Sequence, residues 1–246
     1  MTSSNNSMDR KMPPINPSLR SASQIKKMAE ITPLSAAELE DQKIVYPGMA
    51  NNSVLNTFRE IRTKLVQKAE KNNFVLMISS VCHEGGGSFI ALNMAAVFAL
   101  DQTKTALLID CNLYKPTANR LLGVEPDFGL TDYLVNPDLD VDDIIYASGI
   151  DRLRVIPVGG HIEGGAEYFT SERMSEFIQS VKIRYPDRFI IIDAPPVGLS
   201  AEGQILAELS DYLVLVVPYG KVTDEQIVSG VNAAGKDKVS GIIFNN

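Results

Sequence analysis

Residues 79–89 read SSVCHEGGGSF. They follow an apolar run and open a helical one, the setting in which a glycine-rich loop presents backbone N–H groups to a phosphate. Gly85, Gly86 and Gly87 let those groups converge on an anion, and the positive end of the next helix adds to the attraction. The same glycines also suit a plain strand-to-helix turn. Two carboxylates favour the phosphate reading. Asp110 closes the run TALLID, and Asp193 closes FIIID. If those strands lie side by side, their carboxylates suit Mg²⁺, directly or through water. Ser88 then offers a hydroxyl to the same ion. Asp110 and Asp193 are thus the candidate catalytic residues, and Ser88, Asp110 and Asp193 the candidate metal set. Each aspartate could instead cap the turn that follows it.

The elements that would position these groups are legible as a pattern. Continuous apolar runs occupy 74–80, 105–110, 153–157, 189–193, 212–217 and 239–244. Helical candidates lie at 52–71, 88–100, 116–122, 171–184, 202–209 and 224–234. Strands that are apolar throughout and alternate with helices predict a doubly wound α/β fold, its mostly parallel sheet covered by helices on both faces. Ligands in such sheets bind at the carboxyl ends of the strands, where Ser80, Asp110 and Asp193 fall. Residues 1–50 are rich in Ser, Asn and Pro and read as a flexible segment. One short helix is expected there at 35–42, with Ser35 and Glu38 spaced as a capping box. Residues 51–246 form the expected folded domain.

Charge narrows the partners. The 246 residues carry a formal net charge of −7. In the first 27, Arg10, Lys11, Arg20, Lys26 and Lys27 outweigh Asp9, leaving +4 there and −11 on the remainder. A basic leader thus precedes an acidic body, and that body is not built for nucleic acid. The leader reads as a solvated tail or as a weak contact for an anionic membrane surface. No apolar run reaches the ~18 residues that would predict a transmembrane segment. Cys82 and Cys111 cannot build a disulfide framework and read as small buried hydrophobes in a reducing cytoplasm. His83 and His161 stand apart from any metal-binding Cys pair.

Several stretches together resemble the bacterial tyrosine kinases (BY-kinases) of capsular and exopolysaccharide synthesis, P-loop ATPases related to the MinD/ParA group. They are FREIRT at 58–63, NMAAVFAL at 93–100, LLIDCNLYKP at 107–116, GLTDYL at 129–134, SERM at 171–174 and IIIDAPP at 190–196. The resemblance runs over roughly 51–246. It implies a P-loop fold, ATP or ADP with Mg²⁺ as cofactors, and Gly85, Gly86, Gly87 and Ser88 as nucleotide-binding residues. Asn245, at the end of the last apolar run, completes that set. It also implies a Wzz-like polysaccharide co-polymerase of the inner membrane as partner, a homo-oligomer, and a cytoplasmic place peripheral to that membrane.

The departures from the family pattern fall on the chemistry. The family loop commonly reads PGEGKST; aligned on Asn93, this chain reads HEGGGSF at 83–89, so Gly87 stands where the Walker lysine would. That lysine neutralises β- and γ-phosphate charge, and preorganised contacts of this kind are worth about 3–4 kcal/mol in a transition state. The family's DxD becomes Asp110-Cys111-Asn112, and its arginine becomes Tyr114 beside Lys115. Asn56 replaces the glutamate that leads the arginine helix, while Arg59 and Arg62 remain as candidates for contact with a neighbouring subunit. The family's terminal tyrosine cluster has no counterpart in these 246 residues. The combination suggests a kept fold with catalysis reduced or lost: a pseudokinase regulator. One alternative is an active autokinase or ATPase with a relocated cation, for which Lys104 and Lys115 are nearest in sequence. Another is a MinD/ParA-type positioning ATPase, against which the acidic body and the lack of a terminal amphipathic helix both argue.

Overall fold

The structure is a computed structural model that describes residues 33–122, 125–160 and 165–246. The basic leader and His161 lie outside the described residues. In chain order the elements are α1 (Ala36–Asp41), α2 (Asn52–Lys68), β1 (Val75–Ser80), α3 (Gly87–Ala99), β2 (Thr105–Asp110), α4 (Leu130–Val135), β3 (Tyr146–Ala147), β4 (Leu153–Ile156), α5 (Gly165–Thr170), α6 (Glu172–Arg184), β5 (Arg188–Asp193), α7 (Ala201–Glu208), β6 (Tyr212–Pro218), α8 (Asp224–Ala234) and β7 (Val239–Asn245).

The strands form one sheet in the order β3-β4-β2-β5-β1-β6-β7. Every pairing is parallel except β3 with β4. β1, β2 and β5 are buried at every position, which is why their sequences are apolar throughout rather than alternating. One face of the sheet packs Leu76, Ile78, Ala106, Leu108 and Ile191 against α2 and α3. The other packs Met77, Leu107, Ile109, Ile190 and Ile192 against a layer that includes α6 and α7. This is the doubly wound α/β architecture expected.

Helix α3 lies against β1, β2 and β5 and is covered in turn by α2. A helix enclosed on all sides has no polar face, and Ile90 to Ala99 are all buried. Its one buried amide is a staple. Asn93 Oδ1 accepts the Val45 N–H at 2.8 Å, and Nδ2 donates to the Lys43 and Phe89 carbonyls at 3.2 and 3.0 Å. Ile44 and Val45 are thereby held in the core, 1% and 3% exposed. Part of the segment read as flexible is therefore built in. Its short helix α1 carries the expected capping box between Ser35 and Glu38.

Two local expectations are corrected. Residues 116–122 form no α-helix, only a single 3-10 turn at Ala118–Leu121. Asp110 accepts the N–H groups of Thr117 and Ala118 and holds the start of the turn, and the chain leaves it in extended backbone at Leu122. Short β3 was not anticipated; two residues carry no periodic signal.

Candidate functional site: a glycine-turn cleft beside two buried aspartates

The carboxyl ends of β1, β2 and β5 open into a cleft of about 500 Å³. Residues 82–89 form one wall; Asn112, Tyr114, Lys115 and Thr117 form the facing one. Gly86 turns the chain into α3 with φ +90°, and a Cβ there would run into the Asn245 side-chain amide. Asn245 Nδ2 donates to the Gly85 carbonyl at 3.3 Å. The last strand thus braces the glycine turn, and Asn245 is brought to the loop as the sequence suggested. Gly87 and Ser88 begin α3, where backbone N–H groups have no carbonyl four residues back to bond. Such a turn at the positive end of a helix suits a phosphate.

Asp110 and Asp193 are direct register partners on adjacent parallel strands, so both project from the same face. Both are buried. Their surroundings differ. Asp110 Oδ1 accepts the Asn112 N–H at 3.0 Å, and Oδ2 accepts those of Thr117 and Ala118 at 2.7 and 2.9 Å. Three donors wrap the 112–117 loop around this one carboxylate. Asp193 Oδ2 accepts the Thr117 hydroxyl at 3.3 Å, whereas its Oδ1 is buried with no partner. Burial pushes the Asp110 carboxyl up to about 6, against the pull of its three N–H donors. Burial and the Asp110 charge push Asp193 well above the usual carboxylate range, against hydrogen bonds from Ser88 and Thr117. With three backbone N–H donors, Asp110 is the better satisfied carboxylate of the pair.

The candidate metal set is therefore assembled, with a division of labour the sequence does not show. Ser88 stands beside Asp193, and the Asn112 amide donates to its hydroxyl at 3.4 Å. The orphaned Asp193 Oδ1 is the atom that a cation or its water shell would satisfy. Asp110 spends most of its capacity on its own loop. Among the described residues no cluster of three His, Cys, Asp or Glu side chains could hold a metal alone. Mg²⁺ in general keeps several waters and leans on one or two carboxylates and on phosphate oxygens. The residues present fit nucleotide and Mg²⁺ at the loop and at Asp193, with one gap: Gly87 brings no cation.

The two proposed substitutes separate cleanly. Lys104 precedes β2 and lines a different hollow with Arg62 and Asp101. It is six residues of extended chain from Asp110, about 20 Å, and cannot serve the cleft. Lys115 lines the cleft itself. Its Nζ sits 2.9 Å from Glu84 Oε1, and the next residue back, Tyr114, donates its hydroxyl to Glu202 at 3.0 Å. Neither contact was legible in the sequence, because each joins segments far apart along it. Cys111 is buried as expected, its thiol pushed up by burial and the two aspartates. Cys82 is not a core residue: it is only half-buried and lines the cleft. Arg62 donates to the Val97 carbonyl at 2.7 Å and so caps the end of α3, an intrachain duty the sequence reading missed.

Comparison with known proteins gives this geometry a family. No family model matches the chain. It is 34% identical over 191 residues to the tyrosine-protein kinase YwqD of Bacillus subtilis, covering 76% of this chain and 79% of that protein. It is 26% identical over 211 residues to the tyrosine-protein kinase wzc of Salmonella typhimurium, 84% of this chain but only 29% of that protein. Among solved structures, the kinase domain of the Escherichia coli tyrosine kinase ETK superposes with a TM-score of 0.72 at 21% identity, covering 91% of this chain and 92% of that one. At that identity the likeness speaks for the fold. With the glycine turn, the paired strand-end aspartates and YwqD aligned over most of both chains, this chain belongs to the bacterial tyrosine-protein kinase family.

Proposed function

We propose that the chain is a nucleotide-binding, kinase-derived regulator of capsular or exopolysaccharide assembly, with phosphoryl transfer reduced or lost. In this reading it works from the cytoplasmic face of the inner membrane, with a Wzz-like polysaccharide co-polymerase as partner and a homo-oligomer as working form. The observation that carries it is Gly87. A complete cradle surrounds that position: the Gly86 turn, the Asn245 brace, Ser88 and the two aspartates. The position itself carries no side chain. Backbone donors and an orphaned carboxylate oxygen favour binding. The charge that would build up on a transferring phosphoryl group lacks its usual partner in the loop.

Calorimetry with ATP and ADP, with and without Mg²⁺, beside a turnover assay, tests this. Micromolar binding without turnover is the expected result. A Gly87→Lys variant is expected to gain turnover. A Cβ at 87 would approach the Ser80 backbone nitrogen to 3.2 Å, so the loop must give by only a few tenths of an ångström. Robust hydrolysis by the native protein, abolished by Asp193→Ala, would overturn the pseudokinase reading in favour of an active ATPase.

A further inference from the structure

The cleft has an exposed ion pair at its mouth. Lys115 Nζ rests on Glu84 Oε1, with 70% and 76% of the two side chains exposed. Glu84 belongs to the glycine loop and holds a left-handed backbone, φ 56°. Its carboxyl is held below the usual range, chiefly by the hydrogen bond and charge of Lys115, with smaller help from the charges of Lys221 and His83. An ion pair this exposed holds weakly and exchanges partners readily.

The two ends of the pair are anchored differently. The Lys115 N–H bonds the Asn112 carbonyl at 3.2 Å and its Oδ1 at 3.3 Å. Asp110 fixes that whole loop from below through Asn112, Thr117 and Ala118. Lys115 is thus a flexible four-carbon arm on a rigid platform. Phosphates seated at the glycine turn would stand within the same cleft as this ammonium and beside the Glu84 carboxylate, which repels them. The arm therefore has two anionic partners to choose between.

We propose that Lys115 exchanges Glu84 for the terminal phosphates of a bound nucleotide. From the rim it supplies part of the charge that Gly87 cannot supply from the loop. Glu84 is the competitor that sets how tightly nucleotide is held. The inference rests on the nucleotide-binding reading above and assigns the residue that makes such binding selective for phosphate number.

Calorimetric affinities for MgATP and MgADP test it in the native protein, Lys115→Met, Lys115→Arg, Glu84→Gln and the Lys115→Met/Glu84→Gln pair. Lys115→Met is expected to weaken MgATP by at least about tenfold, the lower end for a hydrogen bond to a charged group, and MgADP by less. Lys115→Arg should restore most of the loss. Glu84→Gln should tighten MgATP, and the gain should be clearly smaller in the Lys115→Met background, where only the direct repulsion is relieved. If Lys115→Met binds MgATP as the native protein does, or Glu84→Gln acts equally in both backgrounds, the exchange is wrong although the nucleotide site stands. If no variant binds nucleotide, Glu84→Gln included, the nucleotide reading itself fails and the exchange falls with it.

Discussion

Asp193 keeps a buried oxygen without a partner while a second carboxylate stands on the neighbouring strand. In the ligand-free protein this arrangement works against folding. An acid whose folded pKa is raised binds more protons folded than unfolded, so stability is greatest near and below its ordinary value of 3.8. It falls as pH rises through about 6 for Asp110, and further as Asp193 titrates. Melting curves across pH 4.5 to 8 should therefore show this decline, and Asp193→Asn should flatten it. The same variant should be more stable than the native protein at neutral pH, because it removes a buried charge. It should also lose its Mg²⁺-dependent nucleotide affinity. A native melting temperature independent of pH would show that the pair is not strained. Gly86 is the opposite case, a residue whose lack of a side chain the site needs. Gly86→Ala meets both a left-handed backbone and the Asn245 amide. It should lower stability by about 1–2 kcal/mol and weaken nucleotide binding together. Normal stability and affinity would remove the brace from the account.

Helix α3 and the loop after β2 show how far patterns along the chain carry. The apolar runs of β1, β2 and β5 announce buried strands, because burial on both faces leaves no room for alternation, and the aspartates that end β2 and β5 announce a site. Asn93 announces nothing, since its partners lie 48 and 50 residues back and a lone Asn in a helix usually faces solvent. Residues 116–122 mislead for a related reason. Their composition permits a helix, but the start of the segment is held by a carboxylate of the preceding strand and its single turn ends in extended backbone at Leu122, neither of which a local pattern reveals. Asn93→Ala tests the staple. It strips the Val45 N–H and two carbonyls of their side-chain partner and should cost about 2–4 kcal/mol. Amide exchange should rise most at residues 43–46, ahead of the rest of the core. Protection there equal to that of native protein would show that Ile44 and Val45 hold themselves.

Across the whole molecule the sheet divides its two ends by task. Strand carboxyl ends gather the glycine turn, Asp110 and Asp193, while Lys104 belongs to the opposite end. Sequence distance cannot make that distinction: Lys104 and Lys115 flank Asp110 at similar spacing, and only the direction of β2 separates them. Saturating MgATP should raise the melting temperature, and EDTA should cancel most of the rise. At a hundredfold excess over Kd the gain is about 2.7 kcal/mol, or roughly 5–10 °C for a chain of this size. An equal shift with ATP in EDTA would place the metal outside the site. The Asn245 brace has a consequence for the order of events in the cell. The glycine loop hangs from β1, but its shape is completed by a residue 160 positions later, on the strand two places across the sheet. A growing chain on the ribosome therefore makes its phosphate loop early and finishes it late. On the proposed reading, the loop reaches its full shape for nucleotide only once translation has delivered β6 and β7 and the sheet has closed on that side.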